Sequence, residues 1–76
     1  MTKQINIRDL LPILRDGWVA MDENKRWCWF KYKPVIHFGD INKWLRTDVN
    51  HEWHYISCFN IAPVEDWTNS LIEVKQ

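Results

Sequence analysis

The stretch from Gly17 to Pro34, "GWVAMDENKRWCWFKYKP", decides the fold of this 76-residue chain. "WVAMD" reads as a short strand, "ENK" as a polar turn and "RWCWFKYK" as a second strand, so the simplest pairing is an antiparallel hairpin centred on Glu23 to Lys25. Pro34 ends the second strand because it has no N–H to give to a ladder. Successive side chains of a strand point to opposite faces. Cys28, Phe30 and Tyr32 therefore share one face, while Trp27, Trp29, Lys31 and Lys33 share the other. Both faces carry large apolar groups, and each needs a cover.

Upstream of the hairpin, "NIRDLLPILRDG" reads as a helix from Ile7 to Arg15. Asn6 caps it, Ile7, Leu10, Leu11 and Leu14 recur at helical spacing, and Asp16-Gly17 stops it. Pro12 removes an intrahelical hydrogen bond, so the helix is either kinked or begins later. Downstream, "VIHFGDINKWLRTDVN" holds a strand near Val35 to Phe38 and another at Lys43 to Thr47, with "GD" and "DVN" as turns. "HEWHYISCFNI" is the strongest strand by its aromatic and β-branched content. Pro63 opens a single helical turn in "APVEDW", and "SLIEV" is the final strand.

This order predicts a single α+β domain over residues 1–76, with the N-terminal helix packed on a curled antiparallel β-sheet, a meander of four or five strands. The helix covers one face of the sheet. For Trp27 and Trp29 three covers stand open: the segment around Phe38, Ile41 and Trp44 folding back, a second copy of the chain, or a different macromolecule.

Composition narrows the functions. Ten Lys and Arg balance ten Asp and Glu, so no global field marks a DNA-coating protein or an acidic DNA mimic. The N-terminus lacks the apolar run of a signal peptide, and no run approaches the roughly 18 apolar residues of a membrane span, which predicts a cytoplasmic protein with no membrane partner. Cys28 and Cys58 are then free thiols inside apolar runs. Six Trp, three Phe and two Tyr are more ring surface than so small a core encloses, which predicts exposed rings.

No catalytic or metal-binding pattern emerges. In "HEWH" the histidines are three residues apart on a strand, whereas a zinc protease needs them at i and i+4 of a helix. His37, Cys28 and Cys58 complete no zinc spacing. Ser57 and Ser70 lack G-x-S-x-G surroundings, and rings around Cys28 raise its thiol pKa. Two glycines, Gly17 and Gly39, make neither a P-loop nor a dinucleotide fingerprint, so no cofactor is expected. Asp22-Glu23 and Glu65-Asp66 read as turn and cap residues.

"LRDGWVAMDENKRWCWF", followed by "KP" and later by "IAPVEDWTNSLIEV", resembles a group of small tryptophan-rich proteins of phages and prophages. Their pattern runs helix, G-W-V-A-x-D, polar turn, W-x-W-F, K-P and a terminal D-W-x-x-S-L. The resemblance covers Leu14 to Pro34 and Ile61 to Val74. It implies an accessory gene of a mobile element acting in a bacterial host, and it implies no activity.

The expected function is therefore non-catalytic: binding and blocking a bacterial host protein, such as a defence component, through Trp27, Trp29 and Trp44 with Arg26, Lys31 and Lys33 at the rim. Two alternatives use the same residue types. One is a sponge for a nucleotide-like signal, with a homodimer forming a pocket of indoles and cations. The other is a single-stranded nucleic-acid platform on the basic aromatic strand.

Overall fold

The computed structural model describes residues 3–47, 52–56 and 59–76; the expected "DVN" turn, His51, Ser57 and Cys58 lie outside them. Asn6 caps a single α-turn, α1 (Ile7–Leu10), its side chain accepting the Arg8 N–H at 2.9 Å. At Pro12 the chain tightens into a 3₁₀ turn, Leu11–Ile13, and Leu14 is already extended. The long helix expected to Arg15 is therefore four α residues and three 3₁₀ residues, because proline cannot supply the next i→i−4 bond. The side chain of Gln76 donates to the carbonyls of Leu11 and Leu14, at 2.7 and 2.8 Å.

β1 (Gly17–Met21) and β2 (Trp27–Phe30) form the expected antiparallel hairpin, with Trp18 opposite Phe30 and Met21 opposite Trp27. Its turn is closed by Asp22 N–H on the Arg26 carbonyl and Lys25 N–H on the Asp22 carbonyl, both 2.9 Å. Lys25 takes a left-handed φ of 70° to make it. Gly17 is required at the start of β1: a Cβ there would strike the Phe30 carbonyl and sit 2.8 Å from the Trp29 ring.

Past Pro34, β3 (Val35–His37) and β4 (Lys43–Leu45) pair antiparallel as a separate two-stranded sheet. β5 (Trp53–Tyr55) then adds to β2, a 3₁₀ turn spans Trp67–Asn69, and β6 (Ile72–Val74) adds to β1. The main sheet runs β5-β2-β1-β6, entirely antiparallel and open. It is not a meander, since the last two strands go to opposite edges of the first hairpin. The second helical turn starts at Trp67 and not at Pro63, because Asp66 supplies the cap by accepting the Thr68 N–H at 3.0 Å.

Each face of the sheet has its own core. On one, Val19, Met21, Trp27, Trp29 and Val74 pack under Ile7 and Leu10 of α1. On the other, Ala20, Cys28 and Phe30 pack against Trp44 of β4. The covers are thus reversed from expectation: the helix lies on Trp27 and Trp29, and the β3–β4 hairpin lies on the opposite face. Among the described residues, no helix is long and apolar enough to cross a membrane.

A candidate binding cavity

Three of the rings expected at a surface are inside. Trp27, Trp29 and Trp44 are 2%, 4% and 7% exposed. Each indole N–H is satisfied internally: Trp27 donates to the Ala62 carbonyl, Trp29 to that of Arg15 and Trp44 to that of Trp67, at 3.3, 3.0 and 3.2 Å. Trp27 and Trp29 are therefore packing material of the helix-side core, while Trp44 packs on the opposite face and also lines a cavity there. The expected Trp27/Trp29 binding face is corrected accordingly, since the helix already occupies it. A nucleic-acid platform on those two rings fails for the same reason. Lys31 and Lys33 stay in solvent, each 5.6 Å from a ring centroid, Tyr32 and Trp18 respectively.

A cavity of about 350 Å³ opens on the opposite face, between β4 and the β2–β5 pair. The cross-strand register builds its floor: Cys28 faces Tyr55 and Phe30 faces Trp53. Trp53 and Tyr55 meet edge to face at 5.0 Å. Strand β4 and the residues after it form the opposite wall, with Lys43, Trp44 and Arg46. The guanidinium of Arg46 is 5.9 Å from the Trp53 ring, and that of Arg26 is 5.7 Å from Tyr55. Both distances fall within the outer range of a cation–π contact.

Asp22 stands at one end. It leaves the hairpin turn buried, 6% exposed, and lines the cavity. One carboxyl oxygen accepts the Trp44 backbone N–H at 2.9 Å, and the other faces the Cys28 thiol at 3.9 Å. The Trp44 bond ties the first hairpin to the second. Burial raises the Asp22 pKa, opposed by the Trp44 bond and the Lys43 charge. The Cys28 thiol is pushed up to about 12, first by burial and then by the Asp22 charge. It stays protonated at neutral pH, where a thiol is a poor nucleophile.

Glu52 and His54, from the "HEWH" run, meet elsewhere. His54 lies on the helix side, stacked on Trp29 at 5.8 Å, and its Nε2 is 2.7 Å from Glu52. Glu52 also pairs with Arg15, whose guanidinium lies 4.6 Å from the Trp29 ring centroid. Among the described residues, no group of three or more His, Cys, Asp or Glu is placed to hold a metal ion.

Of the residues expected to form a site, the structure brings Trp44 and Arg26 to the cavity or its rim. Trp27 and Trp29 go to the other face, and Lys31 and Lys33 are not among its described lining residues. Asp22, Lys43, Arg46 and Tyr55 were not anticipated, and Trp53 was left open. Two signals in the sequence point to them: "KWLR", a basic–aromatic run at 43–46, and the i, i+2 spacing of Trp53 and Tyr55, which puts both rings on one face. Compared with models of known families, with curated proteins and with solved structures, the chain matches none.

Proposed function

We propose that this chain is a non-catalytic binding module that holds a small, planar, anionic ligand of the nucleotide type in the cavity between β4 and the β2–β5 pair. The carrying observation is its lining, in which Phe30, Trp44, Trp53 and Tyr55 share the walls with Lys43 and Arg46. Rings bind planar groups by stacking and cations bind anions, and a volume near the lower end of known ligand sites suits one ring system with one charged group. The lining carries two cations, Lys43 and Arg46, against one acid, Asp22, although the whole chain is balanced. In a phage or prophage accessory protein, such a cavity sequesters a signal of the bacterial host. One chain lines this cavity, so sequestration does not need the homodimer that the sponge alternative invoked.

Titrating the protein with a panel of mononucleotides, read by tryptophan fluorescence and calorimetry at low and high salt, tests this. Saturable binding that weakens with salt and is lost in a folded Trp53→Ala/Arg46→Ala variant supports it. A flat response to the whole panel overturns it.

A second reading keeps the host protein as partner but moves the surface. Tyr32, Val35, Phe38 and Ile41 are 50%, 51%, 68% and 66% exposed along and beside the β3–β4 hairpin. Blocking a defence protein through this hairpin requires a stoichiometric complex, reconstituted from purified components, that Phe38→Ser/Ile41→Ser abolishes while the fold is kept. A complex indifferent to that variant removes the reading.

A further inference from the structure

The cavity has a direction, and the direction is chemical. At one end Asp22 contacts both Cys28 and the Trp44 N–H, with Tyr55 opposite Cys28 across the register. At the other end Phe30 is paired with Trp53, over which Arg46 lies. Trp44 and Arg46 are two residues apart, about 7 Å along an extended chain. A buried acceptor beside Cys28 and a cation beside Trp53 thus share one lining of rings. Asp22 is the one acid among the described lining residues; burial raises its pKa, and the Trp44 N–H bond and the neighbouring Lys43 charge favour its ionised form against that. The Arg46 charge at the far end has no acid of the lining next to it.

Resting on the ligand-binding reading above, we infer that the cavity selects a guanine nucleotide, with Asp22 reading the base edge and Arg46 holding the phosphate. An ionised carboxylate only accepts hydrogen bonds, and it has about four lone-pair sites. In Asp22 the Trp44 N–H and the weak thiol contact use two of them. The remaining capacity matches two adjacent donors. Guanine offers a ring N–H beside an amino group; adenine sets a ring acceptor beside its amino group, and that acceptor would face the carboxylate. An unpaired acceptor in a buried site is costly, so the acid rejects adenine more strongly than it rewards guanine. The 350 Å³ volume holds one such base with its sugar phosphate, and not a dinucleotide.

The test compares GMP, AMP, guanosine and inorganic phosphate by calorimetry, on the wild type and on Asp22→Asn and Arg46→Gln. Asparagine keeps an acceptor for the Trp44 N–H while placing a donor at the other oxygen. The wild type is expected to bind GMP at least tenfold more tightly than AMP. Asp22→Asn should erase or invert that ratio, and Arg46→Gln should bring GMP down to the level of guanosine. Equal affinity of the wild type for GMP and AMP overturns the inference without any variant, and so does an unchanged ratio in a folded Asp22→Asn. In both cases nucleotide binding itself stands, and the cavity reading with it. No binding of any nucleotide removes both, and binding of inorganic phosphate as tight as GMP shows that the base is not read.

Discussion

At the scale of single residues, Cys28 shows how burial turns a reactive group into a structural one. Its thiol is 2% exposed, packed with Phe30 and Trp44, and aimed at the Asp22 carboxyl. Ionising it would put a second negative charge into a desolvated place, which is why its pKa rises from 9.0 to about 12. The sign of the linked stability follows. Between these two values the unfolded thiol has lost its proton while the native one keeps it, so the folded state binds more protons and stability falls as pH rises. The loss is at most about 1.4 kcal/mol per pH unit in that window. Urea titrations between pH 8 and 11 should show this fall in the wild type and a much shallower one in Cys28→Ser. Parallel curves for the two proteins would mean that the thiol is not held in its neutral form.

At the scale of elements, the short helical segment is joined to the edge strand β5 by charge as well as by packing. Arg15 lies just past the 3₁₀ turn, Glu52 just before β5, and His54 within it. The Glu52 carboxyl is held down to about 2, first by the His54 hydrogen bond and then by that of Arg15. For a depressed acid the contribution to stability is present above the unfolded value of 4.5 and is lost as pH falls towards 2. Glu52→Gln should therefore differ from wild type at pH 6 and converge on it towards pH 2, with the pH 6 difference shrinking in high salt because the cluster is exposed. A difference that stays constant with pH would assign the effect to packing. The elements themselves were largely legible. The polar turn at Glu23 to Lys25, the cap at Asn6 and the first hairpin follow from local chemistry that the sequence displays, whereas the strands at 35–37 and 43–45 were expected within one meander and instead form a sheet of their own. The placement of the helix was not legible, because Trp27, Cys28, Trp29 and Phe30 are all buried. A strand with no polar side gives alternation nothing to report, so the pattern cannot say which face meets which cover. The cavity was illegible for a different reason. Asp22, Lys43 to Arg46 and Trp53 to Tyr55 come from three separated segments, and only the return of β4 over β2 brings them together.

At the scale of the whole molecule, the excess of rings is resolved by a sheet with two cores, one per face, in a chain small enough to be expected to have one. The two Trp of β2 on the helix side are central to this arrangement. Trp27 packs with Met21 and bonds Ala62, while Trp29 packs with Val19 and bonds Arg15. Truncating one buried Trp costs about 3–5 kcal/mol, and native domains are stable by only about 5–15 kcal/mol. For a chain this short the lower part of that range applies. The variant Trp27→Ala/Trp29→Ala should therefore lose cooperative unfolding, its near-ultraviolet dichroism collapsing and its amide resonances narrowing in dispersion. If it instead melts cooperatively within a few degrees of the wild type, the two rings do not carry the helix-side core, and the helix would have to be free to lift from a face that binds something else. The two halves of the molecule make this decisive. The helix-side core fixes the central hairpin from one side, which leaves the other face to support β4 at the separation that opens the cavity. Loss of the Trp27 and Trp29 core should therefore abolish the proposed nucleotide binding as well, although neither ring is among the described residues lining the cavity.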